Sequence, residues 1–371
     1  MRNAVPVLYY HRVNNVDRRM AVSPDLFQAQ MQRLKDKGWR SLGTAELKRF
    51  IETGDKPAAK CLVITFDDGF ADNLYYAFPI LQRAGLKAVI FLITERVGEG
   101  EPRQLKEGAV PPIRSFDEAN KAALKGDLDD YLRASEIRAL ARSGLVEFGS
   151  HTLSHRPCFQ GPEIERFILS SSPHWARQVL AQGDLRPGVP LYEWASQAAV
   201  PCFRPDPLLK EKLVEFAKER GGPEAIRKEG KNAWTARLKA EAARLREEGD
   251  RGTMESKEEA GRRIGSELRA SRAAVEKLTG APCPALCWPW GHYSALSLTA
   301  AEQAGYALAF TTETGSITRD TEPLALRRLR VSASTGPRAL ETMLSALSTL
   351  PGSYLAQALF PSRSRDRDDL N

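Results

Sequence analysis

The chain has 371 residues, of which 42% are hydrophobic and 27% charged, the balance of an ordinary globular protein large enough for a barrel-sized domain with an insertion, or for two domains. No apolar run reaches the length of a membrane span, and five cysteines without CxxC spacing point to reduced thiols, not a disulfide framework. The net charge of +7 is spread along the chain, so a solvated surface is expected over a nucleic-acid interface, with peripheral contact to an anionic membrane left open.

In chain order, Val5 to Tyr10 reads as a first strand with no hydrophobic leader before it, which favours a cytoplasmic protein. Ser23-Pro24 opens a helix with Phe27, Met31 and Leu34 on one face and Gly38 at its end. Thr44 caps a short helix to Ile51, and Cys61 to Phe66 is a buried strand. A helix over Asp72 to Ala84, stopped by Gly85, leads to another strand over Lys87 to Thr94. This alternation predicts a parallel α/β architecture, whose functional residues collect at the C-terminal ends of strands. Glu95 to Asp130 reads as loop with short helical pieces, and Ser135 caps a helix to Ser143.

Two strand ends carry unusual chemistry. Val63-Ile64-Thr65-Phe66 runs into Asp67-Asp68-Gly69, and adjacent charges at the end of a buried strand need partners or a metal. An Asp-Asp-Gly segment can also be a plain polar turn. Val146-Glu147-Phe148-Gly149-Ser150 runs into His151 and then His155. A helix after His151 would put both imidazoles on one face. Two neutral imidazoles with one carboxylate suit a Zn²⁺-like ion and leave a position for water.

From Pro157 to Ser256 the chain is Ser- and Pro-containing at first, and from Asp206 to Arg246 rich in Ala, Leu, Lys, Arg and Glu at helical spacing. We expect a mostly helical insertion over 157–256, either reaching over the site as a lid or peripheral to it. A long helix to Thr279, strands over Pro284 to Pro289, Tyr306 to Thr311 and Leu326 to Val331, and a helix opened by Gly336-Pro337 complete the expected domain over 1–156 and 257–350. Residues 351–371 are an Arg/Asp/Ser-rich tail expected to be partly disordered.

Thr65-Phe66-Asp67-Asp68-Gly69, His151-Thr152-Leu153-Ser154-His155 and Cys287-Trp288-Pro289-Trp290-Gly291 together resemble the motifs of the polysaccharide deacetylase family. Val5-Pro6-Val7-Leu8-Tyr9-Tyr10-His11-Arg12-Val13 is similar to the opening of its exopolysaccharide branch. The resemblance implies a distorted (β/α) barrel of about seven strands that removes acetyl groups from a sugar, N-deacetylation first, with an O-acetyl or other linear amide hydrolase and a non-catalytic carbohydrate binder as alternatives. It implies a divalent metal, zinc by preference, on Asp68, His151 and His155. It further implies Asp67 as base and the Trp290 N–H as oxyanion donor. Trp288, Pro289, Tyr293 and His11 are expected to contact an acetylated saccharide. Two family features are missing: the Arg that holds the catalytic Asp is replaced by Cys287, so another group must orient Asp67, and the late Leu-x-His motif is replaced by Leu329-Arg330-Val331. His292 is the preferred proton donor, with His11 and a metal-bound water as the other candidates.

Overall fold

The computed structural model describes residues 4–17, 19–103, 112–169, 172–247 and 252–349. These divide into two compact units. The first runs to Ser154 and resumes over Gly265–Gly291 and from Leu298 onward; the second holds His155–Ile264 and His292–Ser297.

The elements of the first stretch are β1 (Val5–Tyr10), β2 (Arg12–Val13), β3 (Ala21–Val22), α1 (Pro24–Asp36), β4 (Arg40–Ser41), α2 (Thr44–Thr53) and β5 (Cys61–Phe66). A π-helical turn, Asn73–Ala77, runs into α3 (Phe78–Ala84) and is followed by β6 (Ala88–Leu92), α4 (Phe116–Ala123), α5 (Ala134–Arg142) and β7 (Val146–Ser150). Next come β8 (Pro157–Phe167), α6 (Trp175–Leu180), β9 (Pro190–Ser196), β10 (Phe203–Arg204), α7 (Pro207–Glu219), α8 (Gly222–Glu229), α9 (Lys231–Glu247) and β11 (Thr253–Met254). The chain then forms α10 (Lys257–Thr279), β12 (Ala285–Cys287), α11 (Ala295–Gln303), β13 (Leu308–Phe310), β14 (Ser316–Ile317), β15 (Leu329–Arg330) and α12 (Pro337–Leu347).

In the first unit the sheet follows the order β13-β12-β7-β6-β5-β1-β14, with β4 beside β5 and β15 beside β1. All pairs are parallel except β1 with β14. This is a half-barrel of seven strands with helices, the distorted (β/α) barrel that the sequence implies. Every residue of β1, β5 and β6 is buried, because a parallel sheet is covered on both faces and its strands become continuous apolar runs. Val7, Val63, Val89, Phe91, Leu308 and Phe310 interlock in one core cluster. Gly149 allows the close approach of β6 and β12 to β7: a Cβ there would lie 2.5 Å from the Phe91 ring and 2.9 Å from the Ala285 carbonyl oxygen.

Several local expectations are corrected. Gly43, not Thr44, is the N-cap of α2, and the Thr44 hydroxyl instead donates to Glu147 at 2.7 Å. Arg133 occupies the N-cap of α5, and the Ser135 hydroxyl donates to the Gly100 carbonyl at 2.7 Å. No helix joins His151 to His155, because Thr152 and His155 take left-handed backbone angles, φ 65° and 51°. The second unit contains, besides its helices, the antiparallel pair β8–β9, with register shifts between Phe159 and Ile164 and between Ile164 and Arg166. Its core gathers Phe167, Leu213, Ile226, Trp234 and Leu238. The tail from 350 onward lies outside the described residues.

Candidate functional site

β1, β5, β7 and β12 end on the same side of the parallel sheet, and their ends deliver the chemistry. Asp67 and Asp68 follow β5, His151 follows β7, His11 follows β1 and Cys287 closes β12. Asp67, Asp68, His151 and Cys287 are all buried.

Asp67 is held by a residue that the sequence reading did not single out. Arg328, fully buried, sends two parallel hydrogen bonds to the Asp67 carboxylate, both 2.8 Å. Its other donors reach the Thr65 hydroxyl at 3.1 Å, the Thr311 carbonyl at 2.8 Å and the Cys287 sulfur at 3.1 Å. The guanidinium also lies over the Tyr9 ring, 4.4 Å from its centroid. All five N–H donors of the fork are therefore used, which is what a buried guanidinium requires. Burial by itself would raise the Asp67 carboxyl, but the charge and hydrogen bonds of Arg328 outweigh it and hold the group down at about 2. Arg328 thus supplies what the absent third-motif Arg would have supplied, from just before β15 instead of from position 287. Cys287 remains a neutral thiol, since burial pushes its pKa well up.

Beside this pair stand side chains whose ligand atoms could hold a cation. His151 places Nδ1 2.8 Å from the Cys287 carbonyl and Nε2 3.5 Å from an Asp68 oxygen. An Nδ1–H donated to a carbonyl leaves Nε2 as the lone-pair nitrogen, the tautomer that a metal ligand needs. Among the described residues, ligand atoms of Asp68, His151 and His155 all lie within 4.8 Å of one another, with His155 placed by the short turn that follows His151. Asp67, His151 and Cys287 form a second such group. It fits a metal less well, because both Asp67 oxygens and the Cys287 sulfur already receive hydrogen bonds from Arg328. The oxygen and two imidazoles of the first group are a borderline-cation set.

The backbone at these motifs is unusual. Of the five non-glycine residues with positive φ among those described, four belong to the motifs: Asp68 (73°), Thr152 (65°), His155 (51°) and Trp290 (54°). Each conformation costs on the order of 1–3 kcal/mol and persists only where the surrounding structure imposes it.

His11 is positioned by its neighbours. Its carbonyl accepts from the Asn73 side chain at 3.1 Å, and the adjacent Arg12 forms a fully buried 2.6 Å ion pair with Asp72. Burial lowers the His11 pKa, while Asp68 and then Asp67 push it back up, so the ring lies within the field of both carboxylates.

The remaining candidates separate. Trp288 is fully buried and donates its indole N–H to the Leu324 carbonyl at 3.0 Å. It is a core residue, so its expected sugar contact is corrected. Pro289 is also buried, whereas Trp290 and Tyr293 are partly exposed. His292 lies in the second unit, its Nδ1 accepting from the Ser196 amide at 3.2 Å and its ring 5.6 Å from that of Trp194.

Comparison with known proteins follows the same motifs. The polysaccharide deacetylase family model matches residues 54–181. The chain is 36% identical over 108 residues to a Bacillus subtilis (strain 168) protein named polysaccharide deacetylase YxkH, a match covering 28% of this chain and 38% of that protein. It is 28% identical over 153 residues to the Escherichia coli (strain K12) poly-beta-1,6-N-acetyl-D-glucosamine N-deacetylase, covering 40% of this chain but 21% of that protein. Both matches therefore span well under half of these relatives. Among solved structures, the fold is shared with the Streptococcus pyogenes deacetylase PplD, with 18% identity, 91% and 97% of the two chains covered and a TM-score of 0.52. It is also shared with a de-N-acetylase from Aggregatibacter actinomycetemcomitans, with 16% identity, 91% and 98% covered and a TM-score of 0.56. Residues 54–181, which contain both the Asp67-Asp68 and the His151–His155 motifs, thus match a polysaccharide deacetylase domain.

Proposed function

We propose that this protein is a metal-dependent hydrolase that removes N-acetyl groups from a saccharide. The observation that carries the proposal is the buried Asp67–Arg328 pair set beside the Asp68 and histidine donor group. A binding protein gains nothing from an ionised carboxylate fixed next to a cation site, whereas hydrolysis of a linear amide needs both. A cation on Asp68, His151 and His155, zinc by preference, would supply a Lewis acid for the acetyl carbonyl and acidify water near it.

The chain's own residues do the rest. Asp67, kept ionised and aimed by Arg328, accepts the proton that the attacking water loses. A carboxyl held at about 2 retains that proton poorly, so it has to pass to another group. His11, whose ring lies in the field of both carboxylates, is the group we assign, in preference to His292, as the donor to the leaving nitrogen. We assign the oxyanion donor to the backbone N–H of Trp290, which sits at a left-handed turn of φ 54°. Trp290 and Tyr293 are the candidate stacking surfaces for the sugar. The E. coli relative named for poly-beta-1,6-N-acetyl-D-glucosamine supports an N-acetylated hexosamine polymer as the substrate class. Among the described residues no helix is long and apolar enough to cross a membrane.

Acetate release from a panel of N- and O-acetylated saccharides by zinc-loaded protein tests the reading. Release from the N-acetylated members is expected; binding without release, or release from O-acetyl esters alone, overturns it. Metal content gives a second check. Wild type is expected to hold about one divalent ion per chain and His155→Ala markedly less, because two ligands bind a borderline cation far more weakly than three. Equal metal in both proteins would remove this donor set. For the proton donor, His11→Ala is expected to slow amide substrates by about 10²-fold or more. It should leave an activated acetyl ester, whose leaving group needs no proton, within a few-fold of wild type. The same pattern in His292→Ala and not in His11→Ala would return the role to His292.

A further inference from the structure

The segment that follows Asp67 and Asp68 also grips the end of β1. Asp72 is buried, and its carboxylate accepts from the Arg12 Nε at 2.6 Å, the Asn14 side chain at 2.9 Å and the Val13 amide at 3.2 Å. Asn73 is buried beside it, and its side-chain NH₂ donates to the His11 carbonyl at 3.1 Å and to the Asp72 carboxylate at 3.3 Å. Both of these neighbours are acceptors, so only a donor fits between them. The Asn73 Oδ1 is left buried without a hydrogen-bond partner among the described residues, a cost accepted where the donor is needed. Arg12 is fixed from a further side, donating to the Arg114 carbonyl at 2.7 Å and lying 4.4 Å over the Phe70 ring. Residues 11 to 14 are thus anchored by 72 and 73, and just before them the Asp67 amide donates to the Tyr10 carbonyl at 3.0 Å.

We infer that Asp72 and Asn73 are positioning residues for His11, and that they hold its imidazole toward Asp67 and Asp68 by fixing the backbone beneath it. The inference rests on the reading of His11 as the proton donor. Asn73 meets His11 at its carbonyl, so it governs where the ring stands and leaves the ring nitrogens to the chemistry. The rings of Tyr9 and Phe116 stand edge-on to the imidazole, with centroids 6.0 and 6.2 Å away, and limit its rotation. They do not anchor the peptide that carries it; Asp72 and Asn73 do. The base and the anchor of the donor therefore lie on one continuous stretch, 67–73, which sets the two proton-handling groups against each other. Loosening that anchor lets the donor drift from the leaving nitrogen, and a misplacement of about 1 Å can cost about 10²-fold in rate.

The test uses the full chain loaded with zinc and compares acetate release from an N-acetylated saccharide with hydrolysis of an activated acetyl ester. Asn73→Ala leaves the Arg12–Asp72 pair in place. It is expected to lower kcat on the amide by about 10–10²-fold, with KM, ester turnover and zinc content staying near wild type. Asp72→Asn should show the same split between amide and ester, together with a lower melting temperature. The double variant His11→Ala with Asn73→Ala decides the matter. It should be no slower on the amide than His11→Ala alone, because a residue that acts through His11 then has nothing left to act on. A further loss in the double variant, or equal slowing of amide and ester by Asn73→Ala, would overturn the positioning role and leave His11 as donor. If His11→Ala itself shows no split between amide and ester, the donor reading falls and this inference with it.

Discussion

Asp67→Asn is expected to lower acetate release by about 10²–10⁴-fold, because an amide cannot accept the proton that a carboxylate takes from water. The substitution is not purely chemical, however. An amide offers one acceptor oxygen to a guanidinium fork that now fills two, 2.8 Å each, and it removes the carboxylate charge that pairs with Arg328 in this buried setting. Removing one partner of a buried ion pair costs about 3–5 kcal/mol, so the variant should also melt several degrees lower. Its zinc content should stay near that of wild type, since Asp68, His151 and His155 are untouched. Turnover within a few-fold of wild type would make Asp67 a structural residue and place the base elsewhere.

Arg328→Met is expected to act on stability as strongly as on turnover. Methionine fills much of the volume but leaves the Thr311 and Asp67 acceptors without their donors, at about 3–5 kcal/mol. The double variant Asp67→Asn with Arg328→Met should recover a large part of that loss, since neither charge is then left alone; additive losses in a double-mutant cycle would show that the pair is not coupled. The penalty should also depend on pH. In wild type the Asp67 carboxyl falls from an unfolded value near ~3.9 to about 2 in the fold, so its stabilisation is present above pH ~4 and lost as pH drops toward ~2. Without Arg328, burial outweighs the smaller pull of His151 and His11 and raises that pKa, so a proton now stabilises the fold. The Arg328→Met penalty is therefore expected to be smaller at pH 3 than at pH 7. Arg328→Lys should rescue little, because an ammonium cannot make the two-pronged contact.

What the sequence made legible was local. The apolar runs of β1, β5 and β6 are buried end to end, so periodicity and strand-end position were enough to place Asp67, Asp68 and His151 on one side of a parallel sheet. The partner of Asp67 was not legible, because Arg328 lies 261 positions away and meets it only when β15 pairs with β1 and β1 with β5. A signal was present all the same: an arginine at the mouth of an apolar strand pair is costly to bury unless it has work to do. The helix expected after His151 failed for a different reason. Its spacing was right for a helix, but the turn there is set by left-handed residues that no periodicity announces. β8 was hidden because its Pro, Gly and charged residues break alternation, as its register shifts show.

The left-handed motif residues carry a consequence for anyone selecting hardier variants. Thr152 is β-branched, and holding it at φ 65° is among the least comfortable arrangements a side chain can adopt. Glycine at that position relieves the strain, so a screen scored on heat resistance alone would enrich for it. The same exchange frees the short turn between His151 and His155. Heat-selected lineages should therefore drift away from catalysis at this position first, and a screen that scores survival and turnover together is needed to hold the threonine in place.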